Sequence, residues 1–257
     1  MITLISPAKI QNFKRQNIIS DYSQPIFLKE AKTLVKQLRT YSINELSGLL
    51  EINSKLAEEN AARYFQWKTP FTPENSKQAI FVYNGAVYQG LDPHSLSNDE
   101  LHYLQNNLRM MTGLYGMLRP LDLIQPYRLE VKTKFLTESG ENLYDFWRAR
   151  VTKELANTLK TSDNPDILLN LASKEYTKMI DKSKLNVRIV DFDFLQYYPD
   201  TDSYKHITIY LKRARGLMAR FIAQNRISDT EHLKGFSNEG FWFSEEFSSE
   251  DKMVFVR

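Results

Sequence analysis

The amino-acid sequence predicts an α+β (mixed α/β) protein: one compact domain over residues 1–257, with a mixed β-sheet, surrounding helices and a helical subdomain at 27–67. Three observations carry that prediction. Short runs rich in β-branched and aromatic residues are spread along the chain, and segments of 3.6-residue apolar periodicity lie between them. The two kinds do not alternate in the regular way of a barrel or a doubly wound sheet. The third observation is continuity, because no internal repeat and no Gly/Ser/Pro-rich linker divides the 257 residues, 42% of which are hydrophobic.

In chain order, Ile2 to Ile5 reads as a buried strand that runs into the rigid turn Ser6-Pro7-Ala8-Lys9. Helices follow at Phe27 to Leu38, Ile43 to Leu50 and Ser54 to Trp67, the second opened by a Ser42/Glu45 capping box. Ala79 to Tyr83 reads as a strand, and Asn84-Gly85 as the type I′ turn of a hairpin. A helix from Asp99 to Met111 is opened by a Ser97/Glu100 capping box. After an irregular stretch come a helix at Leu143 to Leu159, a turn at Asp163 to Pro165, and strands at Ile167 to Leu171 and Val187 to Phe194. A turn at Pro199 to Ser203, a strand at His206 to Leu211, a helix at Arg213 to Gln224 and strands at Phe241 to Phe243 and Met253 to Val256 complete the chain.

Composition removes several functions. With no cysteine there are no disulfides and no thiol chemistry. The four histidines lack ligand-like spacing, and no Gly-rich phosphate loop, nucleophile elbow or His-based triad is present, so no metal and no cofactor are expected. The N-terminal MITLISPAK lacks the basic, long-apolar character of a signal peptide, and no apolar run reaches the length of a membrane span. A cytoplasmic protein without membrane partners is the expectation, and a monomer the expected state. The net charge of +3 is small, but from Ser203 to Ser228 there are six Lys or Arg residues and no acid.

Five constellations could carry chemistry. The stretch Arg109 to Lys132 combines Arg109, Arg119 and Arg128 with Gly113, Gly116, Pro120, Pro126, Tyr115 and Tyr127 in an otherwise apolar run. That mixture suits a shaped, arginine-lined loop. In KRARGLMARF from Lys212, Ala214, Leu217, Met218, Phe221 and Ile222 form one apolar helical face. Arg213 and Arg220 border it on one side, Arg215 and Arg226 on the other, as snorkelling residues or as an anion site. Lys9 follows a strand's C-terminal end, the edge where ligands collect in open α/β sheets. In LLNLASKEYTK, Asn170 sits in an apolar strand and must find partners. Ser173 there is a plausible helix N-cap, followed by Glu175, Tyr176 and Lys178. Asp191 and Asp193 share a strand face, as a metal or acid-base pair or, more simply, through strand amphipathicity.

Several strings in fixed order carry a resemblance over the whole length: LISPAK from Leu4, NGAVYQGL from Asn84, LRMMTGLYGMLRPLDLIQPYRLE from Leu108, NLASKEY from Asn170, KRARGLMARFI from Lys212 and GFSNEGFWF from Gly235. The chain resembles the YaaA family of bacterial peroxide-stress proteins. The resemblance implies a single compact domain of unusual fold, a basic cleft, binding of double-stranded or branched DNA, and protection against iron-driven oxidative damage. It also implies a helix-hairpin-helix-like element, for which Gly113 to Gly116 and Leu49 to Ala61 are the two stretches available.

Two functions therefore stand side by side. In the first, Lys9, Arg109, Arg119, Arg128, Lys178, Lys212, Arg213, Arg215 and Arg220 supply DNA- or anion-binding charge, and Tyr115 and Tyr127 stack or wedge. In the second, an enzyme acts on a small anionic or nucleotide-like substrate in a pocket built by Ser6, Lys9, Tyr88, Tyr115, Tyr127, Asn170, Ser173, Glu175, Tyr176 and the loop arginines. Geometry separates them: an enclosed convergence of these groups favours the enzyme, an open groove of duplex width favours DNA.

Overall fold

A computed structural model describes residues 1–14, 19–162 and 166–257, so the turn expected at Asp163 to Pro165 lies outside the described residues. The first strand, β1 (Ile2–Ile5), is followed by the helices α1 (Leu28–Leu38), α2 (Ile43–Leu50) and α3 (Ser54–Gln66). Next come β2 (Lys77–Gln78), the one-turn helix α4 (Ala79–Val82), α5 (Ala86–Leu91), α6 (Asn98–Asn107), β3 (Leu108–Thr112), β4 (Gly116–Leu118) and β5 (Leu123–Ile124). The rest comprises α7 (Leu143–Lys160), β6 (Ile167–Asn170), α8 (Lys174–Thr177), β7 (Arg188–Tyr198), β8 (Ser203–Lys205), α9 (Thr208–Gln224), α10 (Thr230–Leu233), β9 (Trp242–Phe243) and β10 (Lys252–Val256).

An eight-stranded mixed sheet organises these elements, in the order β4-β3-β1-β6-β7-β10-β9, with β8 on β7. Its centre is more regular than the sequence predicts. Strands β3, β1, β6, β7 and β10 are mutually parallel neighbours, and β4, β8 and β9 are antiparallel additions. Counted along the chain, the parallel strands stand in the order second, first, third, fourth, fifth, the arrangement of a doubly wound sheet with its switch point between the first and third, here β1 and β6. The register aligns Leu4 with both Arg109 and Asn170, and Asn170 with Asp191. One hydrophobic cluster runs from Met1 through Trp147 to Phe255.

Local chemistry explains the helix starts. The backbone N–H of Ser42 donates to Glu45 Oε2 at 2.7 Å and that of Glu45 to Ser42 Oγ at 3.3 Å; Ser97 and Glu100 repeat the box on α6. Asn53 and Asn142 cap α3 and α7 with their side chains alone, accepting from the amides of Leu56 and of Tyr144 and Asp145.

Three elements differ from expectation. Ala79 to Val82 is helical because the Ala79 and Ile80 amides donate to the carbonyls of Asp122 and Pro120 (2.9 Å each), and a run buried on all sides carries no period to separate the two states. Asn84-Gly85 is accordingly no hairpin turn; it leads into α5, and Gly85 lets Ala8 approach so closely that a Cβ there would lie 3.0 Å from Ala8 Cβ. The predicted helix at 99–111 ends at Asn107, whose amide donates to Tyr103 O at 2.9 Å, and Leu108 to Met111 become β3 between β1 and β4. Likewise His206 to Leu211 is not a strand: β8 stops at Lys205, and α9 begins at Thr208.

Candidate functional site

Parallel strands bring the residues that follow β1 and β6 to one edge of the sheet. Ser6, the first residue beyond β1, accepts a hydrogen bond on Oγ from the Ser173 amide at 2.9 Å, and its carbonyl accepts from the Tyr88 hydroxyl at 3.2 Å. Asn170 resolves the demand of an amide in an apolar strand. Its Oδ1 accepts from Ala172 N at 3.1 Å and its Nδ2 donates to Asp191 Oδ1. Lys9 Nζ lies 2.9 Å from Glu130 Oε1, and Arg128 approaches the same carboxylate at 3.9 Å.

A tyrosine cluster closes this edge. The Tyr83 and Tyr127 hydroxyls are 2.7 Å apart, the Tyr83 and Tyr88 rings 5.2 Å apart, and Tyr115 meets Tyr127 edge-on at 5.3 Å. Burial drives the Tyr83 and Tyr88 phenols well above their ordinary value, and Tyr127 up to about 12. Tyr176 is only 8% exposed; burial raises its phenol most, with Tyr127, Glu175, Glu130 and Tyr88 adding to the effect. So Ser6, Lys9, Tyr88, Tyr127, Arg128, Asn170, Ser173, Glu175 and Tyr176 come together as a group. Tyr115 is a core residue at its margin: its hydroxyl accepts from Trp67 Nε1 at 3.0 Å and from Gln125 N at 3.2 Å. Lys178 is exposed at the end of α8, and its carbonyl accepts from Arg148.

Most of the remaining arginines hold the fold together. Arg109 is 6% exposed and donates to the carbonyls of Gln105 (3.1 Å) and Leu108 (2.7 Å), its guanidinium pulled below the usual value by burial and by Arg119. Arg119 grips the fully buried Asp122 through Nε and Nη2 at 3.2 and 3.0 Å. Arg213 pairs with Glu239 at 2.6 Å, and Arg220 donates to the Leu91 and Asp92 carbonyls at 3.0 Å each, satisfying the end of α5. Arg215 is half-buried, and burial lowers its guanidinium against the opposing pull of Asp193 and Asp191. Lys212 alone of this run's KRAR segment is exposed. The loop arginines and the α9 arginines therefore do not line one groove.

Sequence reasoning missed a different basic surface. On α1, Lys29, Lys32 and Lys36 are exposed, and with Arg39 they fall within an arc of about 80° at ~100° per residue. Gln37 donates to the Leu136 carbonyl at 2.6 Å, which sets exposed Lys132 and Lys134 beside the same helix. None of these five lysines has an acidic partner among the described residues. On the other flank, Arg39 caps α3 by donating to the carbonyls of Tyr64 (2.8 Å), Phe65 and Trp67. Beyond it opens a cleft of about 1190 Å³ lined by Arg63, Lys68 and Lys77, with Glu74 the one acid among its described lining residues. Phe65 stands at the cleft with 82% of its surface exposed. The sequence signal was the 3-4-3 spacing of Lys29, Lys32, Lys36 and Arg39, which the apolar side of the same helix obscured.

The stretch Gly113 to Gly116 turns between antiparallel β3 and β4, so it is a β-hairpin. The α2 and α3 pair is joined by three residues, with Glu51 in the left-handed region (φ 53°). Among the described residues no helix is long and apolar enough to cross a membrane, and no group of three or more His, Asp or Glu side chains is placed to hold a metal ion.

These features define a mixed α/β protein with a parallel core, a polar edge at its switch point and a lysine-faced outer helix. The chain belongs to the family described as peroxide stress protein YaaA, whose model matches residues 1–247. It is similar to UPF0246 proteins of Neisseria meningitidis serogroup A and Neisseria gonorrhoeae, each 44% identical over 257 residues and covering 100% of this chain and 98% of the relative. A UPF0246 protein of Alteromonas mediterranea is 43% identical over the same span, again 98% of its length.

Proposed function

We propose that this member of a peroxide-stress family acts by binding duplex or branched DNA through the basic surface of α1 and the adjoining cleft, shielding the duplex from iron-driven oxidation. The observation that carries the reading is the lysine face, Lys29, Lys32 and Lys36, which has no acidic partner among the described residues, continued by Lys132 and Lys134 on one side and by Arg63 and Lys68 on the other. Free ammonium groups on one face suit a polyanion, because each phosphate neutralised releases counterions. Phe65 offers a ring on which an exposed base can stack, a contact worth about 1–3 kcal/mol. The tight α2–α3 hairpin beside the cleft is the stretch that fits a helix-hairpin-helix-like element.

The experiment is fluorescence anisotropy with linear, junction and single-stranded DNA. Replacing Lys29, Lys32 and Lys36 by Glu is expected to abolish binding at moderate salt, whereas Arg213→Ala, which breaks only the pair with Glu239, leaves affinity unchanged. Wild-type affinity in the triple variant would overturn the reading. A second reading, chemistry on a small anionic or nucleotide-like substrate, draws support from one observation: Ser6, Asn170, Ser173, Glu175 and Tyr176 gather at the switch-point edge of the sheet.

A further inference from the structure

Among the described residues, very few buried side-chain atoms lack a hydrogen-bond partner, and two of them, Glu175 Oε1 and Arg128 Nε, belong to the edge between β1 and β6. Glu175 forms no hydrogen bond or ion pair with any described residue. Beside it, Tyr176 is 8% exposed, and its hydroxyl too has no partner among the described residues. Arg128 follows Tyr127 of the tyrosine cluster and approaches Glu130, the carboxylate that it shares with Lys9 just beyond β1. A desolvated carboxylate oxygen and a desolvated guanidinium N–H each cost free energy unless something completes them. Native folds keep few such groups, and a ligand is one thing that completes them; the other two among the described residues, Arg109 Nε and Arg215 Nε, stand alone, whereas these two share one edge.

The chemistry of the three groups specifies the ligand. Glu175 accepts, Arg128 Nε–H donates, and the Tyr176 hydroxyl does either. A partner must therefore present a donor next to an acceptor on a rigid frame. Aromatic rings stand beside this place: the Tyr88 hydroxyl donates to the carbonyl of Ser6, which holds Ser173 two residues before Glu175, and Tyr83 links Tyr88 to Tyr127, the neighbour of Arg128. Purine and pyrimidine bases combine a donor–acceptor edge with a flat face that stacks on aromatic rings. The place agrees with the fold, because the crevice beyond the first and third strands is where sheets of this order hold nucleotides.

We infer that the edge between β1 and β6 is a nucleobase-binding site, with Glu175 accepting from a base N–H, Arg128 donating to the neighbouring ring nitrogen or carbonyl, and Tyr176 completing the edge. This deepens the second reading above and is independent of the lysine face of α1. The base comes either from a free nucleotide or from an extrahelical position in DNA.

The test is calorimetric titration of the full chain with AMP, GMP, CMP and UMP, against ribose 5-phosphate and inorganic phosphate. At least one nucleotide is expected to bind tenfold or more tightly than ribose 5-phosphate. Glu175→Gln is expected to weaken it by about tenfold and Tyr176→Phe by about fivefold. Thermal unfolding supplies the control: Glu175 has no partner to lose, so Glu175→Gln leaves the melting temperature unchanged or raised. Should that variant prove unstable, Tyr176→Phe, which removes only an unpartnered hydroxyl, carries the test. Equal binding of ribose 5-phosphate would overturn the nucleobase assignment and leave a small-anion site standing. No binding of any of these compounds, together with no preference for a duplex carrying one unpaired nucleotide over a fully paired one, would sink both. Nucleotide binding unchanged in the variants would place the base elsewhere and overturn the assignment. A duplex with one unpaired nucleotide, compared with a fully paired duplex and competed by the free nucleotide, separates the two sources, and either source supports the site.

Discussion

Asp122 and Asp193 show how a carboxylate's surroundings fix its part in this molecule. Asp122 is fully buried, and burial raises its carboxyl in spite of Arg119 and Ser23, whose hydroxyl donates to it at 2.6 Å. It ties the 119–122 turn to residue 23, so Asp122→Ala is expected to cost about 3 kcal/mol, measured by urea unfolding. At Asp193, burial works upward, but hydrogen bonds from Lys252 (3.1 Å) and His206 (2.7 Å) outweigh it and leave the carboxyl below its ordinary 3.8. The folded protein then binds fewer protons there than the unfolded chain. That stabilisation is complete above about pH 4 and is lost as pH falls through the lower folded value. Asp193→Asn should flatten the acid limb of stability against pH; an unchanged limb would show that the pair contributes nothing.

At the scale of elements, the contact between α5 and α9 depends on two glycines. A Cβ on Gly216 would collide with the Val87 carbonyl, and one on Gly90 with that of Arg213. Gly216→Ala should therefore destabilise by about 1–3 kcal/mol through overpacking, although alanine is the better helix former by about 1 kcal/mol. A stabilised variant in thermal unfolding would contradict this close approach. The helices α1, α2, α3 and α7 were legible in the sequence from the periodicity of one wet and one dry face, α2 also from its capping box, and β1, β6, β7 and β10 were legible from their β-branched runs, although β1 is buried throughout. The segments 79–82 and 108–111 were not, because their apolar runs carry no period and their conformation is chosen by distant carbonyls and neighbouring strands. The same division runs through the sites. Ser6, Asn170 and Ser173 were legible because a parallel sheet collects whatever follows its strands. The roles of Arg39, Arg119 and Arg220 were not, since a side chain that caps a remote carbonyl leaves no local pattern.

The whole molecule separates two kinds of polar surface. The switch-point edge is crowded, aromatic and internally hydrogen-bonded, which suits a small ligand. The α1 side is exposed and cationic, which suits a polyanion, and its charge is not neutralised by the acids that pair the arginines of α9. A net charge of only +3 thus conceals a strongly asymmetric distribution. The most direct test of DNA binding through α1 is the salt dependence of duplex affinity for the wild type and for a Lys29→Gln, Lys32→Gln, Lys36→Gln variant. With each lysine neutralising one phosphate, the log–log slope should fall in magnitude by about 3 in the variant, at roughly 0.9 per contact. An unchanged slope there, with a reduced one in Arg213→Ala, would contradict the account and return the interface to α9.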